Sequence, residues 1–125
     1  LAAACRKPHA LPMHNAKNNR PEIDFVLLWV TDEDPEWQRS FRAHCSPQDN
    51  EALNGAQRYR DFGTLKYVLR SIERYAPWYR RLYFVTCGQH PQWMRREHPR
   101  LVCLRHEEFF RDPAHLPVFN SNAIQ

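Results

Sequence analysis

The sequence lacks several things, and each lack removes a class of protein. No apolar run approaches the roughly 20 residues a helix needs to cross a bilayer, so no transmembrane helix is expected. The four cysteines, Cys5, Cys45, Cys87 and Cys103, form no CxxC pair and no regular spacing. A disulfide framework is therefore not expected, and the thiols read as reduced. His44 beside Cys45 and His90 near Cys87 fit no structural zinc spacing. There is no internal repeat and no low-complexity segment. Lysine is scarce, since all but three of the 18 basic residues are arginine. Arginine's planar fork suits phosphate and carboxylate ligands better than lysine does. The formal charge is +4, but acidic residues are interleaved throughout, so no nucleic-acid partner is expected. With 125 residues and 42% apolar content, the chain is large enough for one domain with a real core.

The strongest pattern present lies between Arg58 and Gln89. Leu65, Leu69, Ile72 and Ala76 recur at the spacing of one helical face. Asp61 precedes that helix as its expected cap, its carboxylate accepting from first-turn N–H groups. Pro77 ends it, because proline has no N–H and forces Ala76 out of the α region. Residues 82–86 are a short run of β-formers with hardly a polar side chain, as in a strand covered on both faces. A helix feeding a covered strand is the unit of an α/β sheet.

Residues 1–22 are polar and basic without an apolar period, and read as a flexible leader to a unit spanning 23–125. The first residue is Leu rather than Met, so the true amino terminus is expected upstream, and the LAAAC opening lacks a signal peptide's apolar core. Residues 23–30 are apolar apart from Asp24 and are expected to form a central strand. That strand ends in Asp32, Glu33 and Asp34, followed by Pro35 and a helix to about Cys45. Asp34 is a good N-cap with Pro at the first helical position. One cap does not require three acids, however, and open α/β sheets bind ligands outside the carboxyl ends of their strands. The cluster is equally a place for a divalent metal carrying a diphosphate.

Residues 46–57 read as loop, and 87–91 as another loop at a strand's carboxyl end. A short helix is expected over 92–97, a third strand over 100–104, a helical turn from His106, and a further helix beginning at Ser121. Trp29, Trp78 and Trp93 read as core and loop anchors. Arg70 and Glu73 read as a structural i,i+3 pair. Arg60 and Asp61 either pair to hold their loop or contact a ligand. With right-handed crossovers, this order gives an α/β, Rossmann-like, mainly parallel sheet with flanking helices, incomplete in this chain. Bare strand edges predict that the chain by itself self-associates, is marginally stable and is inactive.

Ile23, Asp24, Val26, Trp29, Val30, Asp34, Pro35 and Trp37 follow the order I-D-x-V-x-x-W-V-x-x-x-D-P-x-W. A second block runs through Arg58, Arg60, Asp61, Leu65, Lys66, Tyr67, Arg70, Ser71, Ile72, Glu73, Tyr75, Ala76, Pro77 and Trp78. Thr86, Gly88, Gln89, Trp93, Pro99 and Leu101 continue it, and Leu116, Pro117, Phe119, Ser121 and Ile124 close it. On these residues the sequence resembles the Stealth proteins, from residue 23 to its last. That family includes bacterial capsular polysaccharide phosphotransferases and the catalytic subunit of the eukaryotic N-acetylglucosamine-1-phosphotransferase. Thr31, Asp32 and Gln125 stand where the family usually has an acid or Asn, a Gly and a Glu. The family's later Asn-Asp-Asp segment and histidine region are not among these 125 residues.

For the full-length protein, the resemblance implies transfer of a hexose-1-phosphate from a UDP-sugar to a sugar hydroxyl of a glycan acceptor, in capsule or exopolysaccharide synthesis. Asp34, Arg60 and Asp61 are then expected to be catalytic. Asp32, Arg58, Gln89, Asn120 and Ser121 would bind the nucleotide-sugar donor, with Mg2+ or Mn2+ at Asp34 and Asp32. The location implied is cytoplasmic, at the inner membrane face of a bacterium, or the Golgi lumen of a eukaryote. Two other readings stay open. One is a truncated, non-catalytic module that binds a nucleotide sugar or a partner. The other is a metal-dependent glycosyltransferase, which would move the sugar without its phosphate.

Overall fold

The computed structural model describes residues 21–46 and 55–124. The expected leader lies outside them except for Pro21 and Glu22, as does most of the expected 46–57 loop.

Three strands, β1 (Phe25–Leu28), β2 (Leu82–Thr86) and β3 (Leu101–Arg105), form one parallel sheet in the order β1-β2-β3. Leu27 lies opposite Phe84, and Phe84 opposite Cys103. β2 is covered on both faces as its composition predicts, with Leu82, Phe84, Val85 and Thr86 buried. Phe84, 1% exposed, is the deepest of the core side chains. β1, expected to be central, is instead an edge strand among the described residues, and its Val26 is 62% exposed. Continuous apolarity marks a strand whose faces can be covered, but in β1 the Val26 face stays open, and apolarity does not report the neighbour count.

The β1–β2 crossover carries two helices, α1 (Pro35–His44) and α2 (Leu65–Tyr75). Asp34 caps α1 as expected, its Oδ1 accepting from Glu36 N at 2.8 Å and Trp37 N at 3.5 Å. α2 buries Leu65 and half-buries Leu69 and Ile72, the face its periodicity predicts. It stops at Tyr75, before Ala76 and Pro77. Asp61 does not cap it. The N-cap is Thr64, with no side-chain bond, and Asp61 Oδ1 accepts from Gly63 N at 2.8 Å. Gly63 sits at φ 68°, a left-handed turn that starts the helix further from Asp61 than a cap can reach.

Leu82 lines an apolar cleft with Leu69 and Ile72 of α2, whereas Val85 lines a cavity with Trp37 of α1 and Tyr59. Leu82 and Val85 point to opposite sides of β2, so helices cover both faces. Trp37, Phe41, Tyr59 and Phe119 form an aromatic cluster with centroids 4.8–5.9 Å apart. Tyr59 fastens it by donating to Phe119 O at 3.0 Å.

The amino ends of the strands are held by charges. Arg80 donates in bidentate fashion to Asp24, with its Nε at 2.9 Å from Oδ1, and pairs with Glu22 at 2.7 Å. Glu22, at the edge of the expected leader, thus joins the fold. Glu73 accepts from Arg100 at 3.2 Å and from Tyr79 Oη at 2.6 Å, and Arg100 stacks 4.0 Å from the Tyr79 ring. This displaces the expected Arg70–Glu73 pair, because β3 brings a guanidinium within reach of Glu73. Arg70 lies over Tyr67 instead.

Two further expectations change. Residues 92–97 are one turn followed by irregular backbone rather than a helix, with Met94 N bonded to Pro91 O at 3.0 Å. So short a segment between Pro91 and Pro99 cannot repay helix nucleation. Trp78 and Trp93 are 61% and 53% exposed, so the core tryptophan is Trp37 rather than either of these. Single turns of 3-10 helix stand at Ala56–Arg58, His106–Glu108, Pro113–His115 and Ser121–Ala123, the last where a longer helix was expected.

Candidate functional site

Parallel strands aim their carboxyl ends at one edge of the sheet, and the side chains and loops beyond β1, β2 and β3 meet there. The β1 and β2 loops are joined by Gln89. Its Oε1 accepts from Thr31 N at 3.0 Å, and its Nε2 donates to Thr31 O at 2.9 Å and to Asp34 Oδ2 at 3.3 Å. Gln38 Nε2 donates to Asp32 O at 2.6 Å, and Asp32 N bonds Tyr59 O at 3.0 Å. The acidic loop is therefore fixed through its backbone from three sides. Gly88 takes the β2 exit at φ 105°, a conformation that L side chains rarely adopt, and a Cβ there would also lie 3.3 Å from the Arg105 guanidinium.

Two cavities open at this edge. The first, about 300 Å3, is lined by Arg58, Arg60, Asp61, Thr64 and Ser121 over a floor that includes Leu28, Trp29 and Val85. Arg58 and Arg60 are exposed, and Arg60 lies 5.8 Å from the Phe62 ring centroid. Arg60 and Asp61 form no ion pair with each other. Thr64 brings the uncapped amino end of α2 to the cavity. The second, about 340 Å3, is lined by Asp34, Glu36, Gly88, Gln89, Arg105 and Glu107, with Leu116 and Pro117 across from them. Trp37, Cys87, His106, Val118 and Phe119 line both and form the wall they share.

Of the residues expected from sequence, Arg58, Arg60, Asp61 and Ser121 come together in the first cavity, and Asp34 and Gln89 in the second. Asp32 lines neither, and Asn120 is an exposed neighbour of Ser121. Among the described residues, no three of His, Cys, Asp and Glu cluster in a way that could hold a metal. Asp32 and Asp34 would fit a divalent ion only with further ligands from a bound phosphate.

His106 was missed. It is 7% exposed, stands directly after β3, and meets Phe109 and Phe110 edge-on. Burial pushes its imidazole below the ordinary histidine range, which keeps it neutral at neutral pH. The rule that points to Asp34 and Gln89, the carboxyl end of a parallel strand, would have found it on β3 as well. Cys87, also beside the wall, has its thiol pushed up by burial and is therefore not a thiolate.

A parallel sheet flanked by helices, with basic, acidic and neutral polar groups gathered at its carboxyl edge, places the chain among α/β proteins of the Rossmann-like kind. The particular family follows from comparison. Residues 58–125, more than half of the chain, match Stealth protein CR2, conserved region 2, and the chain belongs to the Stealth family. It is 44% identical over 106 residues to a capsular polysaccharide phosphotransferase of Streptococcus thermophilus, covering 82% of this chain and 44% of that protein. Against an exopolysaccharide phosphotransferase of Streptomyces coelicolor it is 49% identical over 105 residues, 82% of this chain and 17% of the other. A second from the same organism is 44% identical over 123 residues, 98% of this chain and 20% of that protein. The chain thus spans less than half the length of these curated relatives. Among the described residues no helix is long and apolar enough to cross a membrane.

Proposed function

We propose that the full-length protein carrying this chain transfers a hexose-1-phosphate from a UDP-sugar to a hydroxyl of a glycan acceptor. The observation that carries this is the first cavity, where Arg58, Arg60 and the uncapped amino end of α2 converge, in a chain whose relatives are named phosphotransferases. Two guanidinium forks and a helix amino end favour a diphosphate. Transfer of this kind asks mainly for positioning and charge stabilisation. The acceptor oxygen bonds to the β-phosphorus, the α–β bridging oxygen leaves with UMP, and the hydroxyl proton is lost to base. Arg60 neutralises charge on the transferred phosphate, Arg58 holds the diphosphate from the solvent side, and Asp61 accepts hydrogen bonds from hydroxyls of the donor's sugar. Ser121, with Asn120 beside it, meets the nucleotide end. If Mg2+ or Mn2+ accompanies the diphosphate, Asp34 and Asp32 would be the residues to hold it, and it would supply further positive charge to the phosphates. Gln89 acts on the donor through Asp34 and the acidic loop it fixes. In a capsule-making bacterium this chemistry belongs in the cytoplasm, at the inner membrane face.

The test is a UDP-sugar labelled in its β-phosphate. A phosphotransferase carries the label into the glycan and releases unlabelled UMP. A glycosyltransferase leaves the label on UDP, and a non-catalytic module leaves the donor intact.

A further inference from the structure

The second cavity differs from the first in chemistry. Its charged lining is mostly carboxylate, with Asp34, Glu36 and Glu107 beside the neutral Ser40 and Gln89, and its one guanidinium is already engaged, Arg105 Nε lying 3.0 Å from Glu107 Oε2. Without a cation to bridge them, these carboxylates disfavour a bare diphosphate, whereas they accept hydrogen bonds from neutral hydroxyls. Leu116, Pro117 and Phe119 supply an apolar side, the usual partner of a few placed polar groups in a ligand pocket.

His106 supplies the independent observation. It is more than nine-tenths buried and lines both cavities, yet its ring makes no hydrogen bond with any described residue. An imidazole without a protein partner takes its hydrogen bonds from whatever occupies the cavity beside it, water or a ligand. The one unpaired polar side-chain atom that is fully sealed among the described residues is Trp29 Nε1, so the His106 nitrogens are not closed off in that way. Neutral imidazole offers one donor and one acceptor, a match for a sugar hydroxyl.

We propose that the second cavity is the acceptor subsite, that it takes an uncharged sugar, and that His106 hydrogen-bonds the acceptor hydroxyl at the wall facing the donor cavity. This rests on the function proposed above for the division of labour, but binding in the second cavity can be read without turnover. In the full-length protein, imidazole resonances are followed by 15N NMR, with His106 assigned by loss of its signal in His106→Gln. Methyl glycosides of neutral hexoses serve as the acceptor probe and UDP as the donor probe. The glycosides shift the His106 signal, UDP does not displace them, and His106→Gln weakens glycoside binding about tenfold, as losing one such bond would. UDP affinity in that variant stays within about twofold of wild type. Glycosides that leave His106 unmoved, or that compete with UDP for one site, overturn the proposal. Equal losses of glycoside and UDP affinity in a folded His106→Gln protein overturn it too. Failure of β-phosphate transfer with the glycoside shifts intact would instead strike the functional reading alone.

Discussion

Gln89 grips the backbone of Thr31 with both ends of its amide, accepting from its N–H at 3.0 Å and donating to its carbonyl at 2.9 Å. The pattern copies a strand pairing where the strands themselves have ended, and it welds the β1 exit to the β2 exit. Gln89 is buried, so the bonds form with little competition from water. Replacing Gln89 with Leu leaves the Thr31 groups without those partners and lowers unfolding free energy by about 1–3 kcal/mol. Gln89→Glu costs at least as much, because a carboxylate cannot donate to Thr31 O and stands beside Asp34. Denaturant midpoints with unchanged slopes measure both variants. Midpoints matching wild type would show the latch to be idle.

Asp34 carries a cap and, by proposal, a ligand role, and the two separate by substitution. Asn caps helices about as well as Asp, so Asp34→Asn holds stability within about 0.5 kcal/mol, while Asp34→Ala loses about 1 kcal/mol. In the full-length protein both variants lose at least about tenfold in metal-dependent donor binding if the carboxylate is a ligand. Donor titrations in which Asp34→Asn matches wild type would leave Asp34 as a cap only.

Asp34 before Pro35, the apolar face of α2, Pro77 as its stop and the covered β2 could be read from local patterns, because each depends on neighbours in the chain. Glu73 could not. Its partner Arg100 is 27 positions away and is delivered by β3, so the nearby Arg70 looked the better match. Asp61 misled for a similar reason, since one left-handed glycine at position 63 moved the helix start beyond its reach. His106 went unread because its importance lies in burial and in a wall shared by two cavities, and neither has a local signature.

Arg60 and Arg58 both line the first cavity, but they are proposed to meet the donor differently. Lysine keeps the charge and loses the fork, so Arg60→Lys lowers kcat/KM about tenfold or more while Arg58→Lys costs under about threefold. Kinetics on the full-length protein decide this. Equal tolerance of lysine at both positions would mean that only bulk positive charge matters there.

Asp24 gives the fold an acid limit. Its hydrogen bonds from Arg80, and then the Arg80 charge and the Arg81 N–H, hold its carboxyl below the ordinary aspartate value despite some desolvation. A depressed folded-state pKa contributes stability that is present above the unfolded value near 3.8 and is lost as pH falls through the folded value. Asp24→Asn therefore lowers the melting temperature by several degrees at neutral pH and narrows its gap to wild type below about pH 4. Melting curves across pH measure this. A gap that stays constant down to pH 2 would remove Asp24 from the acid transition.

The last prediction concerns the outer edge of β1. Phe25 N bonds Arg81 O just before β2 and Trp29 N bonds Val85 O on it, so the N–H groups of Val26 and Leu28, out of phase with them, face away from the sheet. Val26 and Ile23 are exposed beside that edge. Unpaired strand groups next to exposed apolar side chains recruit further chains, and natural edges are commonly blocked by an outward lysine. The 125-residue chain is thus expected to self-associate in a concentration-dependent way. Val26→Lys places a charge where the wild-type side chain already meets water, so it suppresses association without lowering the melting temperature by more than about 2 °C. Sedimentation velocity over a range of loading concentrations reads the association, and a thermal melt checks the fold. A wild-type chain that stays monomeric throughout would show that this edge is protected. Association that persists unchanged in Val26→Lys would place the contact elsewhere, with the exposed Phe62, Tyr67 and Tyr75 side chains on and beside α2 as the next surface to test.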